Sequence, residues 1–258
     1  MNPASIANAA RIALPASDTA WFVSDLHLWD DRPRTCDAFA QTLDAACAQN
    51  VALFVLGDLF EYWAGDDDLR SSNVAAPVEA MRDAVQRGLR LWLMHGNRDF
   101  LLGPAFAKHV GATLITTDHA LLSIGNAKAL LMHGDTLCTD DVDYQRFRAQ
   151  ARHPAYQAAV LAKPLAERHA LIAHLRMQSE DKKARTAASI MDVNPSAVNA
   201  AFDAAKVDVM IHGHTHRPMQ HQEDHGRTRW VLPDWECESP PIRGGYLEWN
   251  GATFTPHW

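Results

Sequence analysis

Four short apolar runs, each broken off by a cluster of Asp, His or Asn and three of them with glycine in the cluster, constrain this chain most. Residues 21–23 lead into Ser24-Asp25-Leu26-His27, residues 51–56 into Gly57-Asp58, residues 89–94 into His95-Gly96-Asn97-Arg98, and residues 207–211 into His212-Gly213-His214-Thr215-His216. Apolar runs this short, without polar alternation, read as strands buried on both faces. Helix-like stretches over residues 35–49 and 73–87 separate the first three, with Gly88 as a C-cap to the second. A β-α-β-α-β order favours a parallel sheet covered by helices. It brings the polar clusters to the carboxyl ends of strands, where open α/β sheets hold their ligands.

The rest of the chain adds antiparallel signals. Residues 120–124 and 128–132 flank Gly125-Asn126, and residues 246–249 and 252–254 flank Asn250-Gly251, a type I′ hairpin signal. Residues 141–190 break the rhythm: their composition is helical, with Pro154 and Pro164 placed as helix starts or kinks. A single domain over residues 1–258 with a helical cap inserted at about 141–190 is expected, a length at which one core suffices. That segment carries nine Lys/Arg against five Asp/Glu on a chain of net charge −7, which suits an anionic ligand or surface and argues against broad nucleic-acid binding. Cys36, Cys47, Cys138 and Cys237 form no CxxC pair and read as free thiols of a reducing compartment. No secretory leader and no run of the ~20 apolar residues of a membrane span is expected.

Taken singly, each polar residue at a strand end has a bland reading, as a turn residue, a cap or a satisfied histidine. Together, Asp25, His27, Asp58, Asn97, His133, His212 and His214 repeat ligand-type side chains at five strand ends, beside Gly57, Gly96, Gly134 and Gly213. Nitrogen and oxygen donors without thiolate suit Mn²⁺, Fe²⁺ or Zn²⁺. On extended backbone, Asp-x-His and His-x-His would point to one side and grip one site. Two ions against two aspartates leave net positive charge, which suits a phosphate.

The blocks Asp25-Leu26-His27, Gly57-Asp58, Gly96-Asn97, His133-Gly134 and Gly213-His214-Thr215-His216, the last preceded by His212, resemble the calcineurin-like metallophosphoesterase superfamily in content and order. Within it, Gly65-Asp66-Asp67-Asp68, the run from Gly96 to Gly103, the run from His133 to Asp141, Ile190-Met191-Asp192-Val193-Asn194 and His212 to Pro218 resemble the UDP-2,3-diacylglucosamine diphosphatases of bacterial lipid A biosynthesis. The resemblance implies an α/β fold of two mixed β-sheets sandwiched between helices, with a helical cap. It implies two Mn²⁺ ions, one on Asp25, His27, Asp58 and His214, the other on Asp58, Asn97, His133 and His212. It implies roles for Asn97, Arg98 and His212 at the diphosphate, and further substrate contacts from Asp141, Ser179 and Lys183, with Thr186 at a position that often holds lysine. The reaction implied is hydrolysis of a lipid-linked UDP-sugar to UMP and 2,3-diacylglucosamine 1-phosphate by a metal-activated hydroxide, at the cytoplasmic face of the inner membrane and without nucleic acid. An apolar cleft from Tyr156, Val160, Leu161, Leu165, Leu171, Ile172 and Leu175 is expected to enclose the acyl chains.

There is one departure from the superfamily at large. Many members follow Gly-Asn with histidine, whereas this chain has Arg98, which cannot donate a proton at neutral pH and should neutralise phosphate charge instead. A soluble nucleotide substrate, a nuclease activity and a catalytically silent binding protein are the alternative readings. The oligomeric state stays open.

Overall fold

The computed structural model describes residues 6–185 and 192–258. In chain order the elements are β1 (Ala10–Leu14), β2 (Ala20–Val23), α1 (Pro33–Ala48), β3 (Ala52–Leu56), α2 (Ser72–Gln86), β4 (Arg90–Met94), α3 (Pro104–Val110), β5 (Thr113–Ile115), β6 (His119–Ile124) and β7 (Ala127–Met132). They continue with α4 (Val142–Ala151), α5 (Pro154–Leu161), α6 (Leu165–Arg185), α7 (Pro195–Ala205), β8 (Val209–His212), β9 (Met219–Gln222), β10 (Thr228–Val231), β11 (Tyr246–Trp249) and β12 (Phe254–His257).

Two six-stranded mixed sheets form, in the orders β12-β11-β2-β3-β4-β5 and β1-β6-β7-β8-β10-β9. In the first, β2, β3 and β4 run parallel through the expected β-α-β crossovers, and β5 adds a further parallel strand after α3. Strand residues pointing to one side, including Phe22, Phe54, Leu56 and Met94, meet Leu122, Leu131, Ile211 and Trp230 of the second sheet. Those pointing to the other side, Trp21, Val23, Leu53 and Val55, meet Phe39, Leu43, Val78 and Met81 of α1 and α2. A strand buried on both faces has no place for a polar residue, which is why these runs are apolar without alternation. Each such side chain stabilises the fold by roughly 1.5–3 kcal/mol through the surface it removes from water. On the far side, α7 seats Val198, Ala201 and Phe202 against Leu130, Met132 and Met210, completing a helix-sheet-sheet-helix sandwich.

Local chemistry sets the helix ends. Proline occupies the first turn of α1, α3, α5 and α7, where a missing N–H costs nothing. Gly111, at φ 82°, closes α3 in the left-handed conformation. Residues 142–185 fold as three helices, and Tyr156, Val160 and Leu171 pack against the core beneath the first sheet. Tyr156, Val160 and Leu171 are therefore partly or wholly used in packing, while Leu161 stands 42% exposed.

Two expectations change. The last hairpin has a four-residue connection instead of a two-residue Asn-Gly turn, because Trp249 pairs with Phe254 and Asn250 Oδ1 accepts the N–H groups of Ala252 (3.1 Å) and Thr253 (3.0 Å). Strand β1, an edge strand parallel to β6 and exposed on one face, has no apolar run to announce it.

Candidate metal centre

The carboxyl ends of β2, β3 and β4 face those of β7 and β8, and backbone hydrogen bonds join the loops that follow. Asp25 N–H donates to Gly57 O (3.1 Å), His27 N–H to Asp58 O (3.0 Å) and Gly213 N–H to His133 O (2.9 Å). The His214 N–H crosses between the sheets to Asp25 Oδ2 at 2.8 Å. Two overlapping groups of donor atoms result, each spanning no more than 4.8 Å: Asp25, His27 and His216, and Asp25, Asp58 and His133. Asp58 lies between the two sides, with Oδ2 at 3.8 Å from His27 Nε2 and Oδ1 at 3.7 Å from His133 Nε2. Asn97 Oδ1 reaches His133 Nε2 at 3.0 Å and His214 Nδ1 at 2.9 Å.

This cluster fits divalent cations. His27 Nε2 is buried without a hydrogen-bond partner, 3.8 Å from Asp58 Oδ2. An unsatisfied buried polar atom costs roughly 1–3 kcal/mol, and a cation bound there would remove that cost. The donors are nitrogen and oxygen only, a set for Mn²⁺, Fe²⁺ or Zn²⁺.

Backbone strain is concentrated at these donors. Asp25 (φ 55°), His27 (φ 50°), Asp58 (φ 51°), His214 (φ 68°) and His216 (φ 55°) all adopt the left-handed conformation. Each such residue costs of order 1–3 kcal/mol and persists only where its surroundings impose it, a pattern typical of binding sites. The expected extended backbone at Asp-x-His and His-x-His is thus replaced by tight loops that turn both side chains inward. Two glycines serve close approach: a Cβ on Gly96 would stand 2.1 Å from Asp58 Oδ1, and one on Gly213 2.0 Å from Asp25 Oδ2.

Charge is tuned by the same crowding. Burial alone would raise the Asp25 carboxyl, but His216, His133 and His27 hold it well below the usual carboxylate range. Burial opposes charge on His133, yet Asp58, Asp25 and Asp135 outweigh it and push the imidazole up. His214 moves the other way, to about 4, through desolvation of its ring and the neighbouring His133. Asp99 ties the loops after β3 and β4 by accepting the N–H groups of Leu59 and Gly96, both at 2.8 Å. Burial and the nearby Asp58 raise its pKa to about 6.

The sequence profile described as Calcineurin-like phosphoesterase matches residues 19–218, which contain every donor named above. The chain belongs to that family. A Chromobacterium violaceum protein named UDP-2,3-diacylglucosamine hydrolase is 50% identical over 88% of this chain and 92% of its own length. Proteins of the same name from Aromatoleum aromaticum and Ralstonia nicotianae are 45% and 39% identical, over 91% and 99% of this chain and 94% and 98% of their own lengths. The crystal structure of a dimetal phosphatase from Danio rerio shares the fold, with a TM-score of 0.50 at 13% identity over 90% of this chain and 92% of that one.

In this calcineurin-like phosphoesterase, Asp25, His27, Asp58, Asn97, His133 and His214 stand together as the sequence suggests, but His212 does not join them. It is fully buried, its Nδ1 2.9 Å from Gly213 O and its Nε2 3.2 Å from Arg229 Nη1, so both nitrogens are occupied within the protein. His216 stands where a pairing of His212 with His214 was expected, its Nε2 at 3.3 Å from Asp25 Oδ1 and its Nδ1 at 3.6 Å from Asp234 Oδ2. The physical reason is position: His212 is the last residue of β8 and points into the protein, whereas His214 and His216 lie in the loop beyond the strand end.

Arg98 borders the cluster, its N–H donating to Asp58 Oδ1 at 2.8 Å and its guanidinium 3.2 Å from Glu61. Asp141 caps α4 by accepting the Tyr144 N–H at 3.0 Å. Ser179, Lys183 and Thr186 lie outside the residues whose side chains the structure describes.

Other residues around the centre carry no motif of their own. Tyr144 and Arg148 of α4 and Arg152 at its C-cap recur every fourth position along one face. The Tyr144 ring lies 6.0 Å from that of His214, Arg148 binds Asp135 (2.7 Å) and Asp118 (2.6 Å), and Arg152 donates to Gly96 O (2.8 Å). The first helix of the expected cap is therefore a brace for the centre. The four-residue spacing was the one signal in the sequence that could have revealed it. The Gly65-Asp66-Asp67-Asp68 block is likewise structural. Asp66 accepts the N–H groups of Gly103 and Phe106, Asp67 pairs with Arg168 of α6, and Asp68 lies 3.1 Å from His169.

Proposed function

We propose that this phosphoesterase hydrolyses the pyrophosphate bond of UDP-2,3-diacylglucosamine, yielding UMP and 2,3-diacylglucosamine 1-phosphate. Support comes from relatives so named that match nearly the full chain, and from the one observation that carries the chemistry: a bridging carboxylate, Asp58, between two groups of nitrogen and oxygen donors with Arg98 at the border.

In this reading Asp25, His27, Asp58 and His216 hold one ion, and Asp58, Asn97, His133 and His214 hold the other. Mn²⁺ is the proposed metal. When bound, such ions lower the pKa of water towards neutrality and polarise phosphoryl oxygens. Asp25 remains ionised because its surrounding histidines hold its pKa down, and His214 remains a neutral nitrogen donor at pH 7 because its pKa lies near 4. Arg98 neutralises charge that builds on the phosphates, a contribution whose removal typically costs about 100-fold or more in rate. The leaving group is itself a phosphate, so it departs without a protonating side chain, consistent with arginine at position 98.

No helix among the described residues is long and apolar enough to cross a membrane. We place the protein on the cytoplasmic face of the inner membrane as a peripheral enzyme. The basic segment 141–190 and the exposed apolar side chains of Val142 (53%), Leu161 (42%) and Met177 (63%) on its three helices support that placement. Helices α4 to α6 form the proposed cap over the lipid portion, with Leu165, Ile172 and Leu175 left to line an acyl cleft.

The test is product analysis with UDP-2,3-diacylglucosamine, with Mn²⁺ present or chelated and with Asp58→Asn as control. UMP and the lipid monophosphate should appear only with metal and only with Asp58 intact. Turnover of soluble nucleotide diesters in preference to the lipid would overturn the substrate assignment.

A further inference from the structure

We propose that Glu61 is a positioning residue that joins His27, a metal donor, to Arg98, the phosphate-facing cation, so that one carboxylate sets both metal loading and phosphate recognition. The inference rests on the functional reading above.

Glu61 belongs to no block of the sequence that suggests a ligand. It follows the isolated bridge between Leu28 and Phe60, and its N–H donates to Leu28 O at 3.3 Å, so its backbone is pinned to the loop that carries His27. Its two oxygens are divided between two partners. Oε2 lies 3.1 Å from His27 Nδ1, and Oε1 lies 3.2 Å from Arg98 Nη1. The three side chains are only 10%, 17% and 17% exposed for His27, Glu61 and Arg98, so the contacts sit largely out of water, where charge pairs are screened less than at the surface.

The division of labour follows from geometry. With Nδ1 against Glu61, His27 turns Nε2 toward Asp58, at 3.8 Å, which is the face of the ring the metal needs. Carboxylates behind ligand histidines fix ring orientation and raise basicity, and their loss typically costs about 10–100-fold in metal affinity. The same carboxylate restrains a long, flexible arginine at the edge of the cluster, so the guanidinium is oriented before phosphate arrives. Asp234 stands behind His216 in a similar way, but its other partner is Arg243, bound at 2.7 Å and remote from Arg98 in sequence. Glu61 contacts both a donor histidine and the Arg98 guanidinium.

The experiment compares wild type, Glu61→Gln, Arg98→Ala and the double variant. Equilibrium Mn²⁺ titration of chelator-stripped protein gives the metal readout independently of turnover, and kcat/KM at saturating Mn²⁺ gives the coupling to Arg98. Glu61→Gln should weaken one of two Mn²⁺ sites by about tenfold or more. The Arg98→Ala penalty on kcat/KM should shrink by about fivefold or more in the Glu61→Gln background, since side chains that act as a unit are not additive. Wild-type Mn²⁺ affinity in Glu61→Gln, or penalties that simply multiply, would overturn the proposal. Should Glu61→Gln not fold, Glu61→Asp is judged by the same two criteria, because the shorter carboxylate cannot span both partners. Wild type that binds no Mn²⁺ or leaves UDP-2,3-diacylglucosamine intact would sink the functional reading. Wild type that does both, with Glu61→Gln behaving like it, would sink this inference alone.

Discussion

His212 and His216 are the same side chain four residues apart, and burial sorts them into different roles. His216 is 37% exposed in its side chain and faces Asp25, which pushes its pKa upward despite the desolvation of its ring. His212 is fully buried, and desolvation together with Arg229 lowers it to about 3. His216→Ala should therefore reduce bound Mn²⁺ from about two ions per chain towards one, measured by elemental analysis after dialysis, whereas His212→Gln should leave the count unchanged. His212 contributes to the pH dependence of the metal-free protein, beside His95 and His214, which desolvation lowers to about 4. Its folded pKa lies below the ordinary value of 6.5, so the unfolded chain binds a proton that the folded chain refuses. This contribution to stability is complete above about pH 6.5 and is lost as pH falls from there towards 3. Between pH 6.5 and 4 the loss from His212 should reach up to about 3 kcal/mol, seen as a falling melting temperature whose slope His212→Gln reduces.

At the scale of elements, α4 holds the loops of both sheets in register. Arg152 reaches Gly96 O beside Asn97, Arg148 reaches Asp118 and Asp135 before and after the β6-β7 hairpin, and Tyr144 OH donates to Asp135 Oδ2 at 2.7 Å. Arg152→Ala removes a charged hydrogen bond worth roughly 1.5–3 kcal/mol and frees the loop that carries Asn97 and Arg98. Stability in urea should fall by about that amount. Since a displacement of about 1 Å can cost on the order of 100-fold in rate, kcat should fall well beyond what the lost stability explains. Unchanged kcat in a folded Arg152→Ala protein would mean that α4 covers the centre without bracing it.

At the scale of the molecule, the face between the sheets determines whether the two halves of the centre meet at all. Phe54 is fully buried there, its ring 5.2 Å from Phe22 and 4.8 Å from Trp92. Phe54→Ala should cost about 3–5 kcal/mol in denaturant unfolding and, by loosening the contact between sheets, should weaken Mn²⁺ binding as well. The parallel strands β2, β3 and β4 were legible because fully buried strands must be apolar and must stop where the chain turns polar, as at Asp25, Asp58 and Asn97. The half-buried edge strand β1 and the three-residue β5 were not, since neither makes such a run. Six members of the candidate cluster were legible because ligand-type side chains recur where strands end, four of them next to glycine. The sequence by itself determined which residue types could bind metal, the order of the strands that carry them and the family to which they point. Tertiary structure alone decided which of three alternating histidines faces Asp25, that Glu61 spans His27 and Arg98, and that α4 braces the loops, because these depend on side-chain directions at the junction of two sheets whose strands are distant in the chain.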